Sequence, residues 1–214
     1  MRVVVAGSTG LVGSACVNEL LRHTDVGEVV ALVRRSWSEV PQDPRVHVEP
    51  MDFDALPGAL PDYRRFDAVI CALGTTMRQA GSQAAFRRVD FDYPVALARA
   101  ARDQDIPHFL LVSALGARPQ SRVFYNRVKG ETEEAIRAMD FPRLTIVRPS
   151  LLLGNRPEFR LGEAIGRVLG FLAPPKWRPV EGSAVAHTLV SAALQPVAGV
   201  LVLESAAIRK RDLA

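Results

Sequence analysis

The sequence predicts an α/β fold: a doubly wound, mostly parallel sheet of about six or seven strands with helices on both faces. Three observations predict it. Short apolar runs alternate with helix-period stretches along all 214 residues. The runs are almost continuously apolar, as strands covered on both faces are. The first run, residues 3–6, passes directly into Gly7, Gly10 and Gly13 and then into a helical pattern.

Taken in order, that first run is strand one. Gly7 lets the chain turn sharply, Gly10 lets backbone approach a phosphate, and Gly13 lets the following helix pack close to the strand. Helix one, residues 11–23, would aim its free N–H groups and positive dipole end at an anion. The loop residues expected to hold a nucleotide pyrophosphate are therefore Gly7, Ser8, Thr9, Gly10, Leu11, Val12 and Gly13. Further strands are expected at 29–33, 46–49, 68–72, 109–113, 144–148 and 200–203. Further helices are expected at 86–104, 123–139, 161–170 and 184–194. Right-handed crossovers place the binding crevice at the carboxyl ends of such strands, so residues that follow strands carry the functional expectation.

Arg34, Arg35 and Ser36 follow strand two, with no acid between Val29 and Ser38. An acid there would accept hydrogen bonds from a ribose 2′-hydroxyl; an arginine can bind a 2′-phosphate. NADP(H) is thus expected ahead of NAD(H). Asp52 and Phe53 follow strand three, placed to meet the adenine. Leu73, Gly74 and Thr75 follow strand four, placed to line a ribose, and Pro149 and Ser150 follow strand six, where a nicotinamide would lie.

Tyr125 and Lys129 stand four apart near the start of a helical segment, so phenol and ammonium share a face. A cation beside a phenol favours the phenolate, bringing it toward service as a general base. The chain has three tyrosines and only three lysines, Lys129, Lys176 and Lys210, so chance supplies about 0.04 such pairs. Lys129 would also reach the nicotinamide ribose. Ser113 ends strand five and is expected to hold a substrate oxygen beside Tyr125.

Composition narrows the remaining choices. Hydrophobic residues make up 48% of the chain and the net charge is +4, its arginines scattered rather than clustered. Nucleic acid is not an expected partner. No apolar run reaches the ~18 residues of a membrane span. Residues 3–6 are too short for a signal-peptide core. Cys16 and Cys71 lie in apolar surroundings and read as buried reduced thiols of a cytoplasmic protein; four spread histidines offer no metal site. A serine hydrolase is disfavoured because G-x-S-x-G does not occur.

The stretches Gly7–Gly13, Leu73-Gly-Thr-Thr76, Phe86-Arg-Arg-Val-Asp90, His108-Phe109, Ser113 with Gly116-Ala117, Tyr125 to Glu131, and Arg148-Pro149 together resemble the atypical short-chain dehydrogenase/reductases, and within them the Tat-interacting-protein branch. The resemblance covers roughly three quarters of the chain, from position 2 to about 163. It implies a Rossmann fold, NADP(H) binding, and a catalytic set of Ser113, Tyr125 and Lys129. It also brings an alternative to an oxidoreductase on a small carbonyl or alcohol: an NADPH-responsive regulatory module with little turnover. One domain, 1–214, is expected, with 150–185 as a small substrate-side or lid region. That region is short for enclosing a sugar nucleotide. Within it Gly162, Gly166 and Gly170 fall on one helical face, open to close packing, a homodimer contact or a lid.

Overall fold

The runs read as strands do form strands, and the central ones are almost wholly buried. The computed structural model describes residues 1–34, 36–56, 61–153 and 178–211. Among these, β1 (Arg2–Ala6), β2 (Glu28–Val33), β3 (Val46–Pro50), β4 (Ala68–Cys71), β5 (His108–Val112), β6 (Arg143–Arg148) and β9 (Gly199–Glu204) make one seven-stranded sheet. Its order is β3-β2-β1-β4-β5-β6-β9, and every pairing is parallel. This is the doubly wound order. It reverses direction between β1 and β4, and the crevice opens there. A short parallel pair, β7 (Leu152–Leu153) with β8 (Val180–Glu181), lies outside this sheet.

Side chains alternating along each strand divide into two cores. On one face Val3, Val5, Ile70 and Leu110 pack under α1 (Leu11–Leu21) and the later helix Gly182–Leu194. On the other, Val4, Val69, Phe109 and Leu111 pack under helices that include Leu97, Ala98 and Ile136. Burying each Leu or Ile contributes about 1.5–3 kcal/mol, so the sheet is fixed from both sides.

The helix expected at 86–104 is interrupted, and the interruption matters for the site. Thr76 and Ser82 cap two short helices, α2 (Met77–Ala80) and α3 (Gln83–Arg87). A π-turn, Arg88–Asp92, then leads into α4 (Tyr93–Asp103). Pro94 explains the break: having no N–H, it cannot donate to the carbonyl of Asp90 four residues back. The Thr132 hydroxyl donates to that carbonyl instead, at 2.8 Å. Thr132 belongs to α5 (Phe124–Arg137), which thereby fastens to the π-turn. Among the described residues, the remaining helices are α6 (Gly182–Leu194) and α7 (Ser205–Arg211). The expected helix at 161–170, with Gly162, Gly166 and Gly170, lies outside the described residues, as do Arg35 and most of the expected lid.

Candidate active site

Glycine and backbone build one half of the crevice. Gly7 has φ +84°, and a Cβ there would stand 2.6 Å from the carbonyl oxygen of Ala72. A Cβ on Gly13 would stand 2.1 Å from the carbonyl oxygen of Gly7. No side chain fits at either place. The loop after β1 is pressed against the segment after β4 on one side and against α1 on the other. Gly10 donates its N–H to Gly7 O at 2.8 Å, completing the turn at the amino end of α1. The first turn of α1 carries no acid, so nothing opposes an anion at its positive end. These features fit a pyrophosphate. Ser8 holds the loop from below: its buried hydroxyl is within 2.9 Å of Val5 O and 3.2 Å of Leu32 O.

Charged side chains that are themselves buried build the other half. Lys129 lies on the inner face of α5 with Val128, Thr132, Glu133 and Ile136. Its Nζ is 2.8 Å from Asp90 Oδ1, and the two side chains are 7% and 1% exposed. The second Asp90 oxygen accepts the Thr75 N–H at 2.8 Å. A Cβ on Gly74 would lie 3.3 Å from Asp90 Oδ1 and 3.7 Å from Lys129 Nζ. A continuous path therefore runs from Gly7 through Ala72 and Gly74 to Lys129. Burial works against the ammonium, but the Asp90 carboxylate, the Tyr125 phenol and the hydrogen bond to Asp90 outweigh this and hold Lys129 above its ordinary range. Tyr125, one turn earlier, is half-buried, its ring 5.5 Å from that of Phe86.

Three of the expected side chains are engaged within the protein. Ser113 is buried, and its hydroxyl donates to Glu133 Oε1 at 2.5 Å. Glu133 is further held by Arg148 through contacts of 2.9 and 2.6 Å. A hydroxyl proton committed to a carboxylate is not free to hold a substrate oxygen. Phe53 is core, 3% exposed, with its ring 5.7 Å from Tyr93. The Ser150 hydroxyl is likewise engaged, donating to Arg178 O at 2.5 Å and accepting from Ser205 at 2.9 Å.

The other expected residues differ in exposure. Thr9 and Gly74 are exposed, Leu11 is half-buried, and Val12 and Leu73 are buried supports. Asp52 is exposed and caps its own 3-10 turn by accepting the Asp54 N–H. Pro149 is buried, and its carbonyl accepts the Leu115 N–H at 2.8 Å. Arg34 is exposed at the end of β2, near Asp54 and Tyr93. Asp54 is held below its usual carboxylate range by hydrogen bonding from Tyr93 and from Arg88, with Arg34 adding to the effect.

Asp90 was missed as a site residue. Its signal was available: an acid within the apolar pattern of 86–104 needs a buried partner, in a chain with three lysines. A hollow of about 590 Å³ lined by Arg2, Asp62, Arg64 and Arg65 lies at the amino ends of the strands, away from this site.

A doubly wound parallel sheet with a glycine turn at its switch point defines a Rossmann-type dinucleotide-binding protein. The chain belongs to the NAD(P)H-binding family, whose description matches residues 7–198. It is similar to protein HTATIP2 of Rattus norvegicus, 35% identical over 176 residues, covering 82% of this chain and 72% of that one. It is also similar to the mitochondrial protein FMP52 of Eremothecium gossypii, 33% identical over 221 residues, covering 97% and 96%. Among solved structures it resembles MoeE5 in complex with UDP-glucuronic acid and NAD, with TM-score 0.75, 18% identity, and 95% and 75% coverage. The Bordetella bronchiseptica enzyme WbmH in complex with NAD+ gives TM-score 0.73, 16% identity, and 99% and 79% coverage. At these identities the structures speak to the fold alone.

Proposed function

We propose that the protein is an NADP(H)-dependent oxidoreductase acting on a small carbonyl or alcohol, with Tyr125 as general acid/base and Lys129 as its electrostatic partner. The single observation that carries this reading is the buried Lys129, one helical turn from Tyr125 and joined through Gly74 and Ala72 to the glycine turn. When bound, the cofactor supplies or accepts a hydride, with its two electrons, at the carbonyl carbon. Tyr125 gives the oxygen its proton in reduction and takes it back in oxidation. Arg34 favours NADP(H) by offering a guanidinium where a 2′-phosphate would lie. Ser113 contributes by fixing Glu133 and the end of β5 rather than by touching substrate. Buried Cys16 and Cys71 fit the cytoplasm as the proposed compartment; the mitochondrial designation belongs to the fungal relatives.

The test is NADPH oxidation across a panel of small aldehydes and ketones, with Tyr125→Phe as the control. The variant should lose turnover about 10²–10⁴-fold while binding NADPH as before. Undiminished turnover in Tyr125→Phe would remove the assignment. A second reading, an NADPH-responsive regulatory module, is favoured by one observation: the Ser113 hydroxyl is already held by Glu133. Intact NADPH binding with no oxidation across the panel would support it.

A further inference from the structure

A cation beside a phenol draws off its proton; a carboxylate beside that cation cancels the effect. Both arrangements are built into this crevice. Tyr125 precedes Lys129 by one turn of α5, which brings their Cβ atoms to about 5–6 Å. Lys129 Nζ in turn sits 2.8 Å from Asp90 Oδ1. Asp90 is not there by chance of side-chain packing. The π-turn places it, the Thr75 N–H fixes its second oxygen, and Thr132 of α5 anchors its carbonyl. Three elements hold one buried carboxylate against one buried ammonium.

We propose that Asp90 is a positioning residue that neutralises Lys129 and so keeps Tyr125 in its protonated, proton-donating form. The inference rests on the reading of Tyr125 as the acid/base. From the phenol, a carboxylate and an ammonium in contact act as a dipole rather than as a free cation. A phenol that keeps its proton near neutrality is ready to protonate a carbonyl oxygen as hydride arrives, so the site is set for carbonyl reduction. The equilibrium itself is untouched; Asp90 decides which direction finds Tyr125 in the proton state it needs.

Among the described residues, the other groups nearby do not supply the missing charge. Burial pushes the Cys71 thiol of β4 up to about 11, which leaves it neutral at working pH. From α3, Phe86 presents a ring and Arg87 is engaged by Glu131. Asp90 is therefore the described group that counters Lys129.

The chain's three tyrosines allow a direct reading. Tyrosines labelled with ¹³C at Cζ are titrated by NMR, with Tyr125→Phe assigning the Tyr125 signal. Burial raises Tyr63 above its ordinary range, so it serves as a marker of the intact fold. In Asp90→Asn the ammonium is uncancelled, so the Tyr125 midpoint should fall by about one pH unit, tenfold in proton affinity, with Tyr63 unmoved. A fall of less than about half a unit overturns the proposal. Asp90→Asn leaves a buried charge alone and can cost the fold. The double variant Asp90→Asn/Lys129→Gln, neutral for neutral, then decides. If Asp90 cancels Lys129 in the native protein, removing both leaves the midpoint within about half a unit of wild type. A larger rise shows that Lys129 acted as a free cation and overturns the proposal. Where a carbonyl is turned over, Asp90→Asn should lose reduction at correspondingly lower pH. The NMR result needs no turnover, so it stands or falls separately from the reductase reading.

Discussion

The two halves of the crevice are built by opposite means. On the β1–α1 side there is almost no side chain: Gly7 and Gly13 let the loop press against the segment after β4 and against α1. On the β4–α5 side the cavity is filled with side chains that rarely go inside, namely Lys129, Asp90, Glu133 and Ser113. The first half has the shape and dipole that suit an anion, which local spacing can specify. The second places charges where water screens them poorly, which takes residues from three separate elements. A binding surface and a reactive one thus meet along the segment Ala72–Thr75, and substitutions should separate them.

The largest expected effect falls on the second half. Lys129→Met strands the Asp90 carboxylate and should lower stability by about 3–5 kcal/mol in a denaturant titration. The first half should break next. Gly13→Ala forces a Cβ to within 2.1 Å of Gly7 O. It should cost about 3 kcal/mol and abolish the stabilisation that NADPH gives. Loss of turnover with NADPH binding intact would instead place Gly13 in the reactive half.

A residue outside both halves supplies a control. His108 opens β5 at the far end of the sheet, its Nε2 2.9 Å from Thr145 Oγ1. Burial, and secondarily Arg143, lowers it from 6.5 to about 4. The unfolded chain takes up this proton below about pH 6.5 while the folded chain refuses it until about pH 4. Stability should therefore fall as pH drops through that window, by at most about 3 kcal/mol. His108→Asn should flatten that slope without moving the Tyr125 titration. The smallest expected effect belongs to Arg34→Ala. It should lower the preference for NADPH over NADH by about 1.5–3 kcal/mol, read as a ratio of dissociation constants.

The same contrast explains what the sequence made legible. All seven strands of the main sheet are visible as apolar runs, and the glycine turn declares itself because its three residues lie within seven positions. Tyr125 and Lys129 are legible for the same reason, being one helical turn apart. Asp90 is not, because it meets Lys129 across 39 positions and only through a π-turn that Pro94 imposes. The partner of Ser113 is hidden for a related reason. The serine's place at the end of β5 is written in the sequence, but the direction of its hydroxyl depends on Glu133, twenty residues further on. Phe53 follows a strand as a ligand-facing residue would, yet the neighbouring Tyr93 ring draws it into the core.

The central claim is that this crevice holds NADP(H) between the glycine turn and the Tyr125–Lys129 pair. The most direct test is thermal melting of the chain with NADPH, with NADH and with neither. At a hundred times its dissociation constant NADPH should stabilise the protein by about 2.7 kcal/mol and raise the melting temperature by about 5–10 °C. NADH at the same concentration should raise it less. A melting temperature unmoved by either dinucleotide would contradict the account.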